Sequence, residues 1–153
     1  MSHCCPSSSS PINSDAHKQS CPKAQQQAKH KQQACPQVSQ RTILHHLKEP
    51  WLWQLKQQNY YFCHDPKCHV VYFGHDQSMI RQDELRTLVG IKEASENATL
   101  CYCFGVTHKD IQSNPKIKAF VIEQTKAQLC ACDIRNPSGK CCLGDFPHHQ
   151  QQD

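Results

Sequence analysis

Large apolar side chains are nearly absent from the first 34 residues, where Ser, Gln, Pro, Lys and His dominate. SSSSP (7–11) and QQQAKHKQQ (25–33) cannot bury enough surface to offset chain entropy, so a disordered N-terminal tail is expected. From Val38 the pattern changes. In VSQRTILHHLKEPWLW, Ile43, Leu44 and Leu47 recur at i, i+1 and i+4, predicting a helix from about Gln40 to Lys48 that Pro50 stops. YYFCHDPKCHVVYFG (60–74) sets two β-prone runs either side of a polar loop containing Asp65-Pro66. This predicts a hairpin with a cysteine at each base of its loop. Asp83 to Val89 is expected to form a further strand or a short connection, and Gly90 to mark the boundary between two halves.

In the second half, Thr107 with Asp110 fits a capping box and predicts a turn of helix through Gln112. Asn114-Pro115 starts a longer helix, with Pro at its first position, running to about Leu129. Ile117, Phe120, Val121 and Ile122 are its expected buried side. Asn136-Pro137-Ser138-Gly139 is a turn signal, with a last short helix expected from Lys140. No internal repeat is visible.

Composition changes this picture in one respect. The hydrophobic share is 37% of 153 residues, and it includes 12 cysteines. The apolar core is therefore thin for a chain of this length, and small units of this kind need disulfide or metal staples. MSHCCPSSSS has neither a basic n-region nor an apolar h-region, so no secretory signal is expected. No window approaches the ~20 apolar residues that span a bilayer. A cytoplasmic location follows as the expectation, and clustered cysteines in a reducing compartment favour metal over disulfide. The net charge of +4 is spread over scattered lysines, so no nucleic-acid partner is expected.

The cysteines fall into two ligand sets. Cys63 and Cys68, at C-x4-C across the hairpin loop, form a knuckle suited to two of the four thiolates of a tetrahedral zinc site. The nearest upstream thiols are Cys21 and Cys35, each followed by Pro, and they are the candidates for the other two positions. His30, His45, His46, His64 and His69 are possible substitutes, solvent exposure being their plainer explanation. The second set comprises Cys101 and Cys103, at C-x-C, with Cys130, Cys132, Cys141 and Cys142. One iron of a [2Fe–2S] cluster can take a C-x-C pair, and the other needs two thiolates from a second loop. Gly105 and Gly139 are expected to let backbone N–H groups approach the sulfurs. On spacing alone a second zinc site is an open rival. A thioredoxin-like dithiol is disfavoured, since C-x-C and C-C are not C-x-x-C and no βαβ pattern surrounds them.

YYFCHDPKCHVVYF, VGIKE, LCYCFGVTHKDI and NPSGKCC, in that order, resemble the N-terminal module of CopZ-type copper chaperones. The resemblance covers roughly Val38 to Gly144. It implies an α+β protein in which a zinc-ribbon-like hairpin unit (35–92) precedes a mainly helical [2Fe–2S] unit (93–147). The second unit is similar to the bacterioferritin-associated ferredoxins, and short tails (1–34 and 148–153) flank the pair. It further implies a cluster on Cys101, Cys103, Cys132 and Cys142, the first two on one iron and the last two on the other. Cys132 is chosen over Cys130 by its distance to Asn136. Zinc falls to Cys63 and Cys68, with Cys21 and Cys35 as the other ligands. Here the family's early C-P-x-C is broken, because Cys21-Pro22-Lys23 is followed by Ala24. The sequence also ends without the family's βαββαβ copper domain and its M-x-C-x-x-C motif, so copper delivery by that route is not inferred.

Soft thiols at Cys4 and Cys5 are a further candidate for Cu+, although an incidental exposed pair is the preferred reading. No paired carboxylates, activated nucleophile or phosphate-cradling loop is apparent, so an enzyme is not expected. The leading expectation is a metal-binding protein that transfers one electron or senses redox state in copper handling, with a copper-handling or electron-transfer protein as partner. The alternatives are a two-zinc module binding protein or nucleic acid, and a secreted disulfide protein.

Overall fold

The computed structural model describes residues 35–147. Both tails expected from the sequence, with Cys4, Cys5, Cys21 and His30, lie outside the described residues. The described chain is a mixed α/β structure with two small antiparallel sheets.

The first sheet has four strands in chain order: β1 (Gln37–Val38), β2 (Tyr60–Phe62), β3 (Val70–Gly74) and β4 (Met79–Arg81). Helix α1 (Gln40–His46) follows β1, capped by the Ser39 side chain accepting from the Thr42 N–H. The expected hairpin is β2–β3, with Phe62 opposite Tyr72 and Tyr60 opposite Gly74. Every residue of β3 is buried. Val71 and Tyr72 pack with Ile43, Leu47, Phe62 and Ile80 in one core. Val70 and Phe73 pack with Met79 and Cys35, Cys63 and Cys68 in a second. A register irregularity between Val70 and Tyr72 breaks strict alternation, so neighbouring residues of β3 serve the same core.

Of the two alternatives for 83–89 the structure has the short connection, and a strand lies just upstream at Met79–Arg81. Residues 82–84 form a tight turn, which the Glu84 carboxylate closes by accepting from the Arg81 N–H at 2.8 Å. The buried side of α1 needs correction. Ile43 and Leu47 are fully buried as expected, but Leu44 is exposed and Thr42 and His46 are buried in its place.

The second sheet pairs β5 (Thr99–Cys101) with β6 (Val106–Thr107). Helix α2 (His108–Ser113) begins with the expected capping box between Thr107 and Asp110. Helix α3 (Lys116–Lys126) is shorter than expected at its C-terminal end. Of its anticipated apolar side only Val121 is fully buried, while Phe120 is half exposed and stacks edge-on against Phe104. A single turn of helix, α4 (Cys132–Arg135), precedes the Asn136–Gly139 turn, and residues 142–145 form a 3-10 turn where a short helix was expected. These elements close a third core of Leu100, Val106, Ile111, Val121 and Phe146 around Cys101, Cys132 and Cys142.

Gly90 sits where the halves join. Its N–H donates to the Tyr102 hydroxyl at 2.7 Å, and a Cβ there would run into the Thr99 carbonyl. Since the clash is with backbone, Gly90→Ala is expected to cost about 1–3 kcal/mol in urea unfolding. Gly144→Ala, where a Cβ meets nothing within 4 Å, should stay within about 0.5 kcal/mol of wild type.

Candidate metal centres

Strand pairing places the first set of thiols. Gln37 lies opposite Tyr61, and continuing that register outward by two residues sets Cys35 opposite Cys63. The Phe62 N–H donating to the Pro36 carbonyl at 2.8 Å extends the ladder in this direction. Cys68 returns at the far side of the knuckle, whose turn is closed by Cys68 N–H to Asp65 O at 3.2 Å and Lys67 N–H to Asp65 Oδ1 at 3.0 Å. All three cysteines are buried in one core. From the second half, the Lys92 ammonium donates to the carbonyls of Asp65 (2.8 Å) and Cys68 (3.0 Å). It therefore fastens the knuckle and brings positive charge toward a thiol-rich site. Among the substitutes considered, His64 is exposed, and both ring nitrogens of His46 are occupied elsewhere.

The second set gathers from two loops. Cys101 ends β5 and Cys103 lies in the turn after it, which Gly105 allows with φ +68°. Cys132 opens α4, and Cys142 follows the turn in which Gly139 also takes φ +68°. The Cys103 and Cys132 sulfurs are 3.6 Å apart. The Cys142 thiol interacts with those of Cys101 and Cys132. Cys130 is half-buried at the edge of this group, and Cys141 faces solvent. Among the described residues no three Cys, His, Asp or Glu side chains enclose a single ion position. Four clustered thiols are a soft donor set of the kind that zinc or an iron–sulfur centre takes.

Backbone donors surround these sulfurs. Ala131 N–H reaches Cys103 Sγ at 3.2 Å, Phe104 and Cys103 N–H groups face Cys101, and the Cys142 N–H faces Cys132. Of these donors only Phe104 adjoins a glycine, and Gly139 itself donates to the Asn136 carbonyl. Three of the thiols, Cys101, Cys132 and Cys142, shift one another. Contact with the Cys142 thiol, aided by the Phe104 and Cys103 N–H groups, lowers Cys101 to about 6. Burial pushes Cys132 up to about 12, and the Cys101 contact with burial pushes Cys142 up as well.

The comparisons with known proteins follow the same lines. Residues 18–86 match the zf_CopZ family model, a zinc binding domain. The copper chaperone CopZ of Archaeoglobus fulgidus is 40% identical over 104 residues, which are 66% of this chain and 50% of that protein. The X-ray structure of the Archaeoglobus fulgidus CopZ N-terminal domain matches with a TM-score of 0.59 at 36% identity, covering 75% of this chain and 94% of that one. The chain belongs to the CopZ N-terminal-domain family. It spans about half the length of the curated CopZ it matches.

In this CopZ-type module, sequence reasoning missed the residues that hold the Cys132–Cys142 loop against the first sheet. Thr42 Oγ1 donates to the Asp133 carbonyl at 2.6 Å, and Tyr72 Oη donates to the Pro137 carbonyl at 2.6 Å. His46 Nε2 lies 2.8 Å from the Ile134 carbonyl and Nδ1 lies 2.7 Å from Thr87 Oγ1. A carbonyl only accepts, so Nε2 carries the proton and Nδ1 of the neutral ring accepts from Thr87. Thr42 and His46 are polar residues on a helix, and no apolar periodicity marks them as buried.

Burial lowers His46 to about 4, with His45 and Arg86 adding positive charge nearby. The unfolded chain therefore takes up a proton near pH 6.5 that the folded chain refuses until about pH 4. The stability linked to this ring is complete above pH 6.5 and falls as pH drops toward 4. Urea unfolding at pH 7.5 and pH 5 should differ by about 2 kcal/mol from this ring alone. His46→Gln, at matched metal content, should lose most of that difference.

Proposed function

We propose that this chain is a non-catalytic metalloprotein that carries a structural zinc and a [2Fe–2S] cluster and serves one-electron transfer or redox sensing in copper handling. The observation that carries the reading is the meeting of four cysteine sulfurs from two separate loops, ringed by backbone N–H donors. Zinc is assigned to the unit spanning 35–92, on Cys35, Cys63 and Cys68 with Cys21 as the fourth ligand. The cluster is assigned to the unit spanning 93–147, similar to the bacterioferritin-associated ferredoxins, on Cys101, Cys103, Cys132 and Cys142. Sulfur contacts cross between the loops, Cys103 with Cys132 and Cys101 with Cys142, so all four thiols are within reach of one centre.

When bound, the cluster would supply one-electron chemistry of the kind that converts Cu(II) to Cu(I). The chain's own part is to desolvate the sulfurs, aim N–H groups at them and so offset their negative charge. A relative named as a copper chaperone supports a copper-handling protein as partner, and an electron-transfer partner and a reducing, cytoplasmic setting are part of the proposal. Cys4 and Cys5 are retained as candidate Cu+ ligands. Among the described residues no helix is long and apolar enough to cross a membrane.

Protein purified without oxygen is expected to be brown, with about two irons and about one zinc per chain, and to bleach with dithionite. Colourless protein with two equivalents of zinc would replace the cluster with a two-zinc interaction module. Cys132→Ser should abolish the visible absorption, whereas Cys130→Ser and Cys141→Ser should retain most of it. The opposite result reassigns the ligands.

A further inference from the structure

We propose that Thr42, His46 and Tyr72 are positioning residues that set the Cys132–Cys142 loop from the zinc half, making the first unit a template for the second unit's metal site. The inference rests on the reading that Cys132 and Cys142 hold the cluster.

Three observations lead to it. The three side chains come from one half, two on α1 and one on β3, and all are buried. Their acceptors, the carbonyls of Asp133, Ile134 and Pro137, all lie between the two ligand cysteines. The loop has little of its own to fix it. Helix α4 has four residues, too short to persist alone. Its internal bonds, such as Asn136 N–H to Cys132 O and Ser138 N–H to Asn136 Oδ1, shape the loop but do not place it against Cys101 and Cys103. Gly139, at the exit of the turn, rests against Val38 and Thr42. Direct bonds to the Cys103 turn are the Ala131 N–H to Sγ at 3.2 Å and an exposed one from Arg135 Nη1 to the carbonyl at 3.4 Å, whereas the buried side-chain anchors are these three donors from the first unit. Burial keeps the Tyr72 hydroxyl protonated and the His46 ring neutral, so each stays a donor to its carbonyl at physiological pH.

The test uses the full chain with Tyr72→Phe, Thr42→Val, His46→Leu and His46→Gln. In anaerobically zinc- and iron-loaded protein, amide exchange is followed by mass spectrometry across residues 134–139, of which all but Pro137 carry an amide, and, as an internal control, across Phe62 and Cys63. Each hydrogen bond lost should speed exchange in the loop by roughly tenfold while the control amides stay unchanged. In anaerobically loaded protein, the same variants should show a changed EPR line shape and several-fold faster bleaching by an iron chelator. Glutamine at position 46 keeps an amide donor, so it should lie closer to wild type than leucine. Tyr72→Phe keeps the core filled and remains decisive if His46→Leu does not fold. Unchanged loop exchange with unchanged EPR and bleaching overturns the proposal, as does acceleration shared equally by Phe62 and Cys63. A wild-type chain that takes up no iron removes the reading under Proposed function, and this inference with it.

Discussion

Thiols that touch one another cannot all ionise unless something positive lies between them. This constraint governs the second half of the molecule, where Cys103 and Cys132 meet at 3.6 Å and Cys142 interacts with both Cys101 and Cys132. One thiol is pulled toward ionisation while its neighbours are pushed away from it, the behaviour of like groups forced to share a site. A metal centre would resolve the conflict by supplying charge to every sulfur at once. The core around them is too thin to substitute for it, since Leu100, Val106, Ile111, Val121 and Phe146 are its main fully buried aliphatic and aromatic members. Metal binding at these thiols would add directly to the stability of this half.

The first half meets the same shortage differently. Its sheet provides one ordinary apolar core on one side of β3 and a sulfur-containing core on the other. That division makes β3 the mechanical centre of the protein. The strand closes the hairpin that presents Cys63 and Cys68, and its Tyr72 reaches the turn between Cys132 and Cys142. In the opposite direction Lys92 reaches back to the zinc knuckle. The two halves therefore exchange side-chain donors for backbone carbonyls, and neither loop is satisfied wholly within its own half.

Signals with a fixed local spacing were legible in the sequence. The C-x4-C hairpin, the Thr107–Asp110 cap and the Asn136–Gly139 turn each need only a few neighbouring residues to declare themselves. The family resemblance was legible for the same reason, and the match to the Archaeoglobus fulgidus domain agrees with it. What depends on tertiary partners was not legible. Strand β4 has only three residues and forms because β3 lies beside it, so no alternation could reveal it. Phe120 looked like core at helical spacing, yet α3 packs through Val121 and leaves Phe120 to Phe104. Thr42 and His46 were invisible as buried residues because their burial is compensated by carbonyls some 90 positions away, at separations of 91 and 88.

The register that faces Cys35 toward Cys63 has an evolutionary consequence. Because β1 pairs with β2 residue by residue, the short step from Cys35 to Gln37 acts as a ruler that carries a thiol to a set place. Adding or deleting one residue within that step would turn the thiol to the other face of the strand. Chain length between Cys35 and Gln37 is thus as tightly constrained as the cysteine itself.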